Sequence, residues 1–572
     1  MAKTRYTNMT LYQRAWDRQS RLERIKLRWK DQRDDVVELT RPDLYTQVDE
    51  RGHFLGSDIT EGTPPWAARI MALGMQGNLV SQNIEWRQSQ MEEKKFKGND
   101  QVNQWLQDLD DVMLSEYNRS NYYDVLPKYI LDGVTVGSPV MLSEQDDDGK
   151  VVYVVPHYSE NFLWRDQFGN DLGYHRKYQM DALQALRRFG RDKLSAALKR
   201  SLDNGDHYTE YWFLQAIYSR KDPILDGVEN ERIPNSEWVQ FYFEEKIEEK
   251  PKQKSLKTNP YNSKPLAAWH YWRNPFETYA RTPAWFAIHD IKGGQQTWET
   301  MMVAAEMSVR SPQWIPDGVR ARFSMLPGAR NFVDKGVFDM IPRSLAEHVK
   351  YPTGMDMADR TNRAIERWFM IDLFRMLNKL ALGPERKAPP TAFQIQQMIG
   401  ENSVLLGPGV QSFVNGLLKT QDERMLEMQA RPQYNDFGEF EPFGNVPDPP
   451  DIILNESNGR VDTEFVGPLA IAQKQFLVGR QIQDNLAAVD PLFERNPDLM
   501  GKIRGPETVE YILEQGRFPQ FLIVPQDEYE LRQQAIDRQR QIKELIESGA
   551  DVSKIVKELS GEVSPESVLA QL

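Results

Sequence analysis

The feature that most restricts how this sequence can fold is a pair of long helical patterns separated by a segment that cannot be helical. Residues 283–308 form the first. Ile288, Ile291, Gln295, Trp298, Met302, Ala305 and Val309 recur there in a three–four alternation, the spacing of helices packed side by side. The Gly293–Gly294 pair within it should weaken or kink the helix. About fifty residues rich in Pro and Gly follow, from Arg310 to Asp356, including "QWIPDG" and "LPGARNFVDKGVFDMIPRS". A second long helix is predicted over 357–382. Ile365, Phe369, Leu373, Leu377 and Leu380 line one of its faces, and Arg360, Arg363 and Arg367 stand on another. Gly383–Pro384 stops it sharply. The polar loop "GPERKAPP" comes next, and Pro389–Pro390 holds off helix until Thr391. The helix that resumes there breaks at Gly407–Pro408–Gly409 and continues to about Ala430.

Upstream, residues 8–38 read as one basic amphipathic helix, with Leu11, Ala15, Leu22, Ile25 and Trp29 at helical spacing. A second helix runs through "PPWAARIMALGMQGNLV" behind Pro64–Pro65, and a third covers roughly 100–120. From Gly137 the pattern turns to strands: "SPVMLSE", a turn at "QDDDGK", then "VVYVVPH". The acid run Glu144 to Asp148 lacks the spaced ligands of a calcium loop and reads as a hairpin turn. A short helix or pair follows at "DALQALRRFGRDKLSAALKRSL", where Arg187, Arg188, Arg191 and Lys193 read as a solvated face. Further strands are predicted at "HYTEYWFLQAIYS" and "EWVQFYFEE". The first half is therefore an α+β body with a meandering, aromatic-rich sheet. After a Pro/Phe-rich linker, "DIILNESNGRVDTEF" suggests a hairpin turning at Asn458–Gly459. Helices follow from Pro468, ending in a highly charged one over about 527–548.

With 14 Trp, 22 Tyr and 25 Phe in 572 residues, the chain has ample material for an ordered core. The absence of Cys excludes disulfides and thiolate metal sites. No apolar run approaches a membrane span, and the start has no apolar stretch of signal-peptide length, so a soluble chain with no membrane partner is expected. The net charge of −13 argues against tight nucleic-acid binding by phosphate neutralisation. That charge is uneven: residues 1–35 carry ten Lys/Arg against five Asp/Glu, 309–356 seven against five, and 526–572 six against ten.

No GxxxxGK[ST] loop is present, which excludes an ATP motor of the P-loop kind. HExxH and GxSxG are missing as well. The seven His are far apart in sequence, and none pairs with another at ligand spacing. No catalytic residue, metal site or cofactor is expected.

Five stretches, in order, resemble the portal (head-to-tail connecting) proteins of short-tailed, podovirus-type bacteriophages. "EGTPPWAARIMALGMQGNLVSQNIEW" resembles the family's small-residue-rich helix ending at a Trp. "SNYYDVLPKYILDGVTVGSPVM", with Ser120, Asn121 and Gly137, resembles its helix leading into a strand. "WRDQFGNDLGYHRKYQMDALQALRRFG" resembles its Asp/Gly turn, strand and helix, through Arg176, Met180, Ala182, Gln184, Ala185 and Phe189–Gly190. "YARTPAWFAIHDIK" resembles the start of its first stem helix, with Ala280 where the family has Gly. "FVGPLAIAQKQ", with Pro468, Leu469, Ala472 and Gln473, resembles the opening of its C-terminal region.

The resemblance implies an α+β portal fold with a wing, stem helices, a clip and a mostly helical crown, assembled as a ring. The wing would be 1–282, the stem helices 283–308 and 357–382, and the clip 309–356. A tunnel loop would occupy 383–390, a wing return helix and hairpin 391–467, and the crown 468–572. Twelve copies would occupy one capsid vertex at the head–tail junction of the virion, after assembly in the host cytoplasm. The partners it implies are the terminase large subunit, tail adaptor and nozzle proteins, the major capsid and scaffolding proteins, and double-stranded DNA without sequence specificity. Glu385, Arg386 and Lys387 would sit at the tunnel-loop tip, toward DNA. Arg320, Arg322, Arg330 and Lys335 would make subunit or partner contacts in the clip. Two other classes stay in play: another virion structural protein, such as a tail adaptor or ejection protein, and a metal-dependent DNA-processing enzyme with scattered acidic ligands.

Overall fold

Thr10 opens the first helix, α1 (Leu11–Leu27), through a capping box with Gln13. The predicted single helix over 8–38 is two: after a break at Arg28–Trp29 the chain starts α2 (Lys30–Thr40). The computed structural model that shows this describes residues 9–44, 59–92, 99–146, 149–228, 233–245, 255–309, 351–372, 409–431 and 444–456. It also describes the short stretches 313–314, 343–344, 433–434, 440–441, 461–465, 532–533 and 535–536. By contact, the chain divides into two units. One comprises residues 1–90, 109–448 and 461–479, and the other 91–108, 449–460 and 480–572.

In the larger unit α3 (Thr63–Leu79) follows, with Pro64 and Pro65 in its first turn, where a missing amide costs nothing. Strand β1 (Arg87–Met91), helix α4 (Asp100–Arg119, its first half in the smaller unit) and helix α5 (Tyr122–Val134) come next. Strands β2 (Val140–Gln145) and β3 (Val151–Val154) form the predicted hairpin, with Gly149 at positive φ in the turn. Asn121 extends it as a strand residue would: its side chain accepts from Tyr153 N at 2.8 Å and donates to Tyr153 O at 2.9 Å.

The main sheet is an antiparallel meander of five strands: β4 (Asn161–Arg165), β5 (Asp171–Asp181), β6 (Glu210–Ser219), β7 (Trp238–Glu244) and β8 (Lys257–Tyr261). A smaller sheet has the order β3–β2–β9, with β9 at Leu266–Ala268. Both faces of β6 are covered, which is why "FLQAIY" is nearly continuous in apolar character. Leu214, Ala216 and Tyr218 pack under Leu11 and Ala15 of α1. On the alternate positions, Phe213 packs against α6 (Ala182–Phe189) and α7 (Ala196–Asp203), while Ile217 meets Val140, Leu142 and Leu266 of the smaller sheet.

Several basic residues of α1 and α2 turn into the fold rather than to solvent. Arg14, about 1% exposed, donates to the carbonyls of Met9, Ile224 and Asp226. Arg18 forms a bidentate pair with the fully buried Asp222, at 2.5 and 2.8 Å, beneath the rings of Trp164 and Tyr218. Lys26 Nζ donates to the carbonyls of Tyr158, Ser159 and Asn161, and burial together with nearby Arg33 lowers its pKa well below the usual lysine range. Arg14, Arg18 and Lys26 are thus held inside the fold, while Arg24, Arg28 and Lys30 stay exposed. The second basic stretch is exposed as expected at Arg187, Arg188, Arg191 and Lys193, with Arg188 bonded to Glu144 and Tyr242.

The first long helix is α8 (Pro283–Val309), and the second, α9 (Tyr351–Trp368), starts six residues before the predicted 357. It is not the unbroken helix expected to 382: it ends at Trp368, at a turn where Met370 takes φ +51°, and residues beyond 372 lie outside the described ones. Residues 409–429 are helical throughout, with one π-turn at Val414–Leu418, and their last part is α10 (Lys419–Gln429). The hairpin expected at 451–465 does not form. Residues Asp451–Glu456 are a short helix, α11, and strand β10 (Val461–Phe465) pairs with β1. That pairing is pinned by buried Arg87 of β1, which bonds Asp110 of α4 and, through Nε at 2.9 Å, Asp422 of α10. Thr463 of β10 donates to the same Asp422 at 2.6 Å.

Candidate functional site

The helical hairpin α8–α9 is where the predicted architecture meets the structure. As residue numbers rise along α8 they fall along α9. Asp290 Oδ2 accepts from Trp368 Nε1 at 2.9 Å, Gly294 faces Thr361 and Ile365, and Met301 lies against Gly354, so the helices are antiparallel. The predicted α8 seam is rotated by about one residue. Ala284, Ala287, Ile291, Gly294 and Met301 are buried, while Met302, assigned to the seam, is 56% exposed. Ile365 on α9 and Phe369 in the turn after it are buried as expected, and Arg360, Arg363 and Arg367 are exposed on the far side.

The glycine pair explains the rotation and corrects the expected kink. A Cβ on Gly294 would stand 3.2 Å from Thr361 Cγ2, so the bare backbone lets α9 approach closely and α8 stays unbroken. A Cβ on Gly293 would meet nothing within 4 Å. The neighbouring substitutions are therefore expected to have opposite signs. Gly293→Ala should stabilise by about 0.5–1 kcal/mol through helix propensity, whereas Gly294→Leu should cost about 1–3 kcal/mol by overpacking. Urea unfolding of the two purified variants checks this, and equal midpoints would rule out close packing at Gly294.

At its root the hairpin is locked to the body. Thr282 caps α8: its hydroxyl accepts from Trp285 N at 3.3 Å and donates to Thr135 O at 2.6 Å. Ala280 N donates to Ser138 Oγ at 2.8 Å, and Ser138 Oγ lies 3.0 Å from His270 Nδ1. Gly137 takes φ +90°, and a Cβ there would stand 2.7 Å from Ala280 O. On its other side His270 Nε2 is 3.5 Å from Asp171 Oδ2. Burial alone would raise the Asp171 carboxyl, but His270, Lys264 and Arg273 hold it below the usual carboxylate range. Burial lowers the His270 pKa despite that carboxylate. The order Ser–His–Asp is that of a hydrolase relay. Here, however, the serine residue is 5% exposed and its oxygen already holds an amide proton, so the string braces the root. The sequence carried one sign of this lock: Thr282 followed by Pro283 is a cap and first-turn pair.

At the other end, Gln313 pairs with Ser344 and Trp314 with Arg343 in a two-residue antiparallel ladder, so the chain leaves α8 and returns toward α9 side by side. Arg320, Arg322, Arg330 and Lys335 lie outside the described residues. So do Glu385, Arg386 and Lys387, and the proposed tunnel-loop and crown segments except for a few positions. Among the described residues no group of His, Cys, Asp and Glu could hold a metal, and no helix is long and apolar enough to cross a membrane.

The chain belongs to the bacteriophage head to tail connecting protein family, whose profile matches residues 12–523. It is similar to the portal protein of Salmonella phage epsilon15, 22% identical over 534 residues, 91% of each chain. It is also similar to the probable portal protein of Bordetella phage BPP-1, 24% identical over 519 residues, 89% of this chain and 88% of that protein.

Proposed function

We propose that this chain is the phage portal subunit, a non-enzymatic component of a ring of twelve at one capsid vertex, through which DNA is packaged and ejected. The observation that carries the reading is the α8–α9 hairpin, rooted by Thr282, Ala280 and Ser138 and closed at its far end by the Gln313–Ser344 ladder. In this reading α8 and α9 are the stem, the segment between them is the clip, and residues 383–390 are the tunnel loop. The clip would dock the terminase large subunit during packaging, then tail adaptor and nozzle proteins, while the body meets the major capsid and scaffolding proteins. DNA contact would run through phosphates and ignore sequence. An overall charge of −13 per copy keeps the duplex from adhering along the channel, leaving a few basic tips to centre it.

Negative-stain imaging of purified protein should show funnel-shaped rings with an axial hole. A chain that stays monomeric both at high concentration and in virions would overturn the reading. Monomers during expression alone would not, because such rings can require scaffold or capsid to nucleate.

A further inference from the structure

At 100° per residue, the exposed side chains of α8 and α9 fall on two flanks either side of their seam. One flank is marked by Phe286 stacked on Trp368, with centroids 6.0 Å apart. By the same turn count it carries exposed Met357, with Arg360 and Arg367 at its outer edge. The other is marked by Gln295, whose amide bonds Glu61 just ahead of α3. Beyond that contact it carries exposed Met302 and Met355, with Glu299, Glu306 and Asp359. Met302 and Met357 are each 56% exposed and Met355 is 49% exposed, so both flanks present large apolar groups that need cover. The first rim is basic and the second mainly acidic, with Arg363 between them on the face away from the seam. Arg360, Glu299 and Asp359 have no ion-pair partner among the described residues.

Two complementary flanks on one hairpin are what a head-to-tail contact between identical copies requires, and such a contact closes into a ring when the rotation closes. Building on the ring reading, we propose that the Met357–Arg360 flank of one copy docks on the Met302–Glu299–Asp359 flank of the next. Heights agree. Rotation about a ring axis leaves each residue at its own level, and the seam pairs Asp290 with Trp368 and Met301 with Gly354 set the scale for helices running along that axis. On that scale Met357 lies within one turn of Met302 and Met355, and Arg360 within one turn of Glu299 and beside Asp359, one turn being about 5.4 Å. DNA as the partner of the arginines would leave the methionines on both flanks uncovered, so a second copy fits better.

The absence of cysteine makes the test clean. In Met302→Cys/Met357→Cys the two thiols lie on opposite flanks of one hairpin, so oxidation should link copies and give a denaturing-gel ladder up to the full ring. Arg360→Glu should lower the ring fraction on the order of tenfold or more by like-charge repulsion, and Glu299→Lys with Asp359→Lys should restore it. Rings that form without the ladder and tolerate Arg360→Glu overturn this contact while leaving the ring reading intact. Intact Arg360→Glu rings that no longer package DNA assign the arginine to DNA, which also overturns it. If the unmodified chain forms no ring even in virions, the ring reading fails and takes the contact with it.

Discussion

Replacing both Arg386 and Lys387 with Glu is expected to leave ring assembly intact and to leave virions with shortened or lost genomes. The argument rests on sequence. Gly383–Pro384 would stop a helix and Pro389–Pro390 would keep another from starting, so the sequence proposes a short polar segment with Glu385, Arg386 and Lys387 at its tip. In a ring, twelve copies of that segment would stand at one axial height. Single contacts between a lysine or arginine and a phosphate are weak and screened by salt, but many presented together act at high effective concentration. Alanine at both positions removes the attraction, and glutamate adds repulsion beside Glu385, so the reversed variant should be the more severe. Packaged DNA length in virions carrying each variant is the measurement. Full-length, retained genomes in the Glu/Glu variant would show that this loop does not grip DNA.

The second large effect is on stability. Arg18→Met should destabilise the body by about 3–5 kcal/mol, because it leaves the carboxylate of Asp222 buried with its ion-pair partner gone. Part of the loss is the packing of the guanidinium under Trp164 and Tyr218. Adding Asp222→Leu should recover much of it, since removing both charges ends the desolvation penalty. Recovery stays incomplete because Asp222 Oδ1 also accepts from Ile224 N at 3.0 Å. Urea midpoints of the single and double variants decide this. An Arg18→Met protein that unfolds at the unmodified midpoint would mean that the pair holds nothing.

The sequence was most legible where one periodicity dominates. The helices α3, α4 and α8, the β2–β3 hairpin, the paired helices α6–α7 and strands β6 and β7 all follow from spacing and turn residues. Strand β8 did not, because "KTNPY" is polar and contains Pro260, which only an edge strand accepts. Two local signals misled. Gly293–Gly294 reads as a helix weakness when only one helix is considered, and as a site of close approach once Thr361 is opposite. Asn458–Gly459 reads as a hairpin turn, yet β10 finds its partner in β1, more than 360 residues earlier in the chain, through the carboxylate of Asp422 and the guanidinium of Arg87. No local pattern encodes such a pairing. The buried arginines of α1 were hidden for the same reason: their partners, Ile224, Asp226 and Asp222, lie some 200 residues away.

The ladder joining Gln313–Trp314 to Arg343–Ser344 has a consequence for how such a chain can diversify. A segment whose two ends already lie side by side can be exchanged for one of different length or composition without altering the distance its ends must span. The entropic cost of a longer replacement grows only with the logarithm of its length, roughly 0.6 kcal/mol per doubling. If that segment is the clip, what the chain would offer to other proteins there is a cassette, free to be rewritten for a new set of attachments while the locked root and its sheet remain untouched.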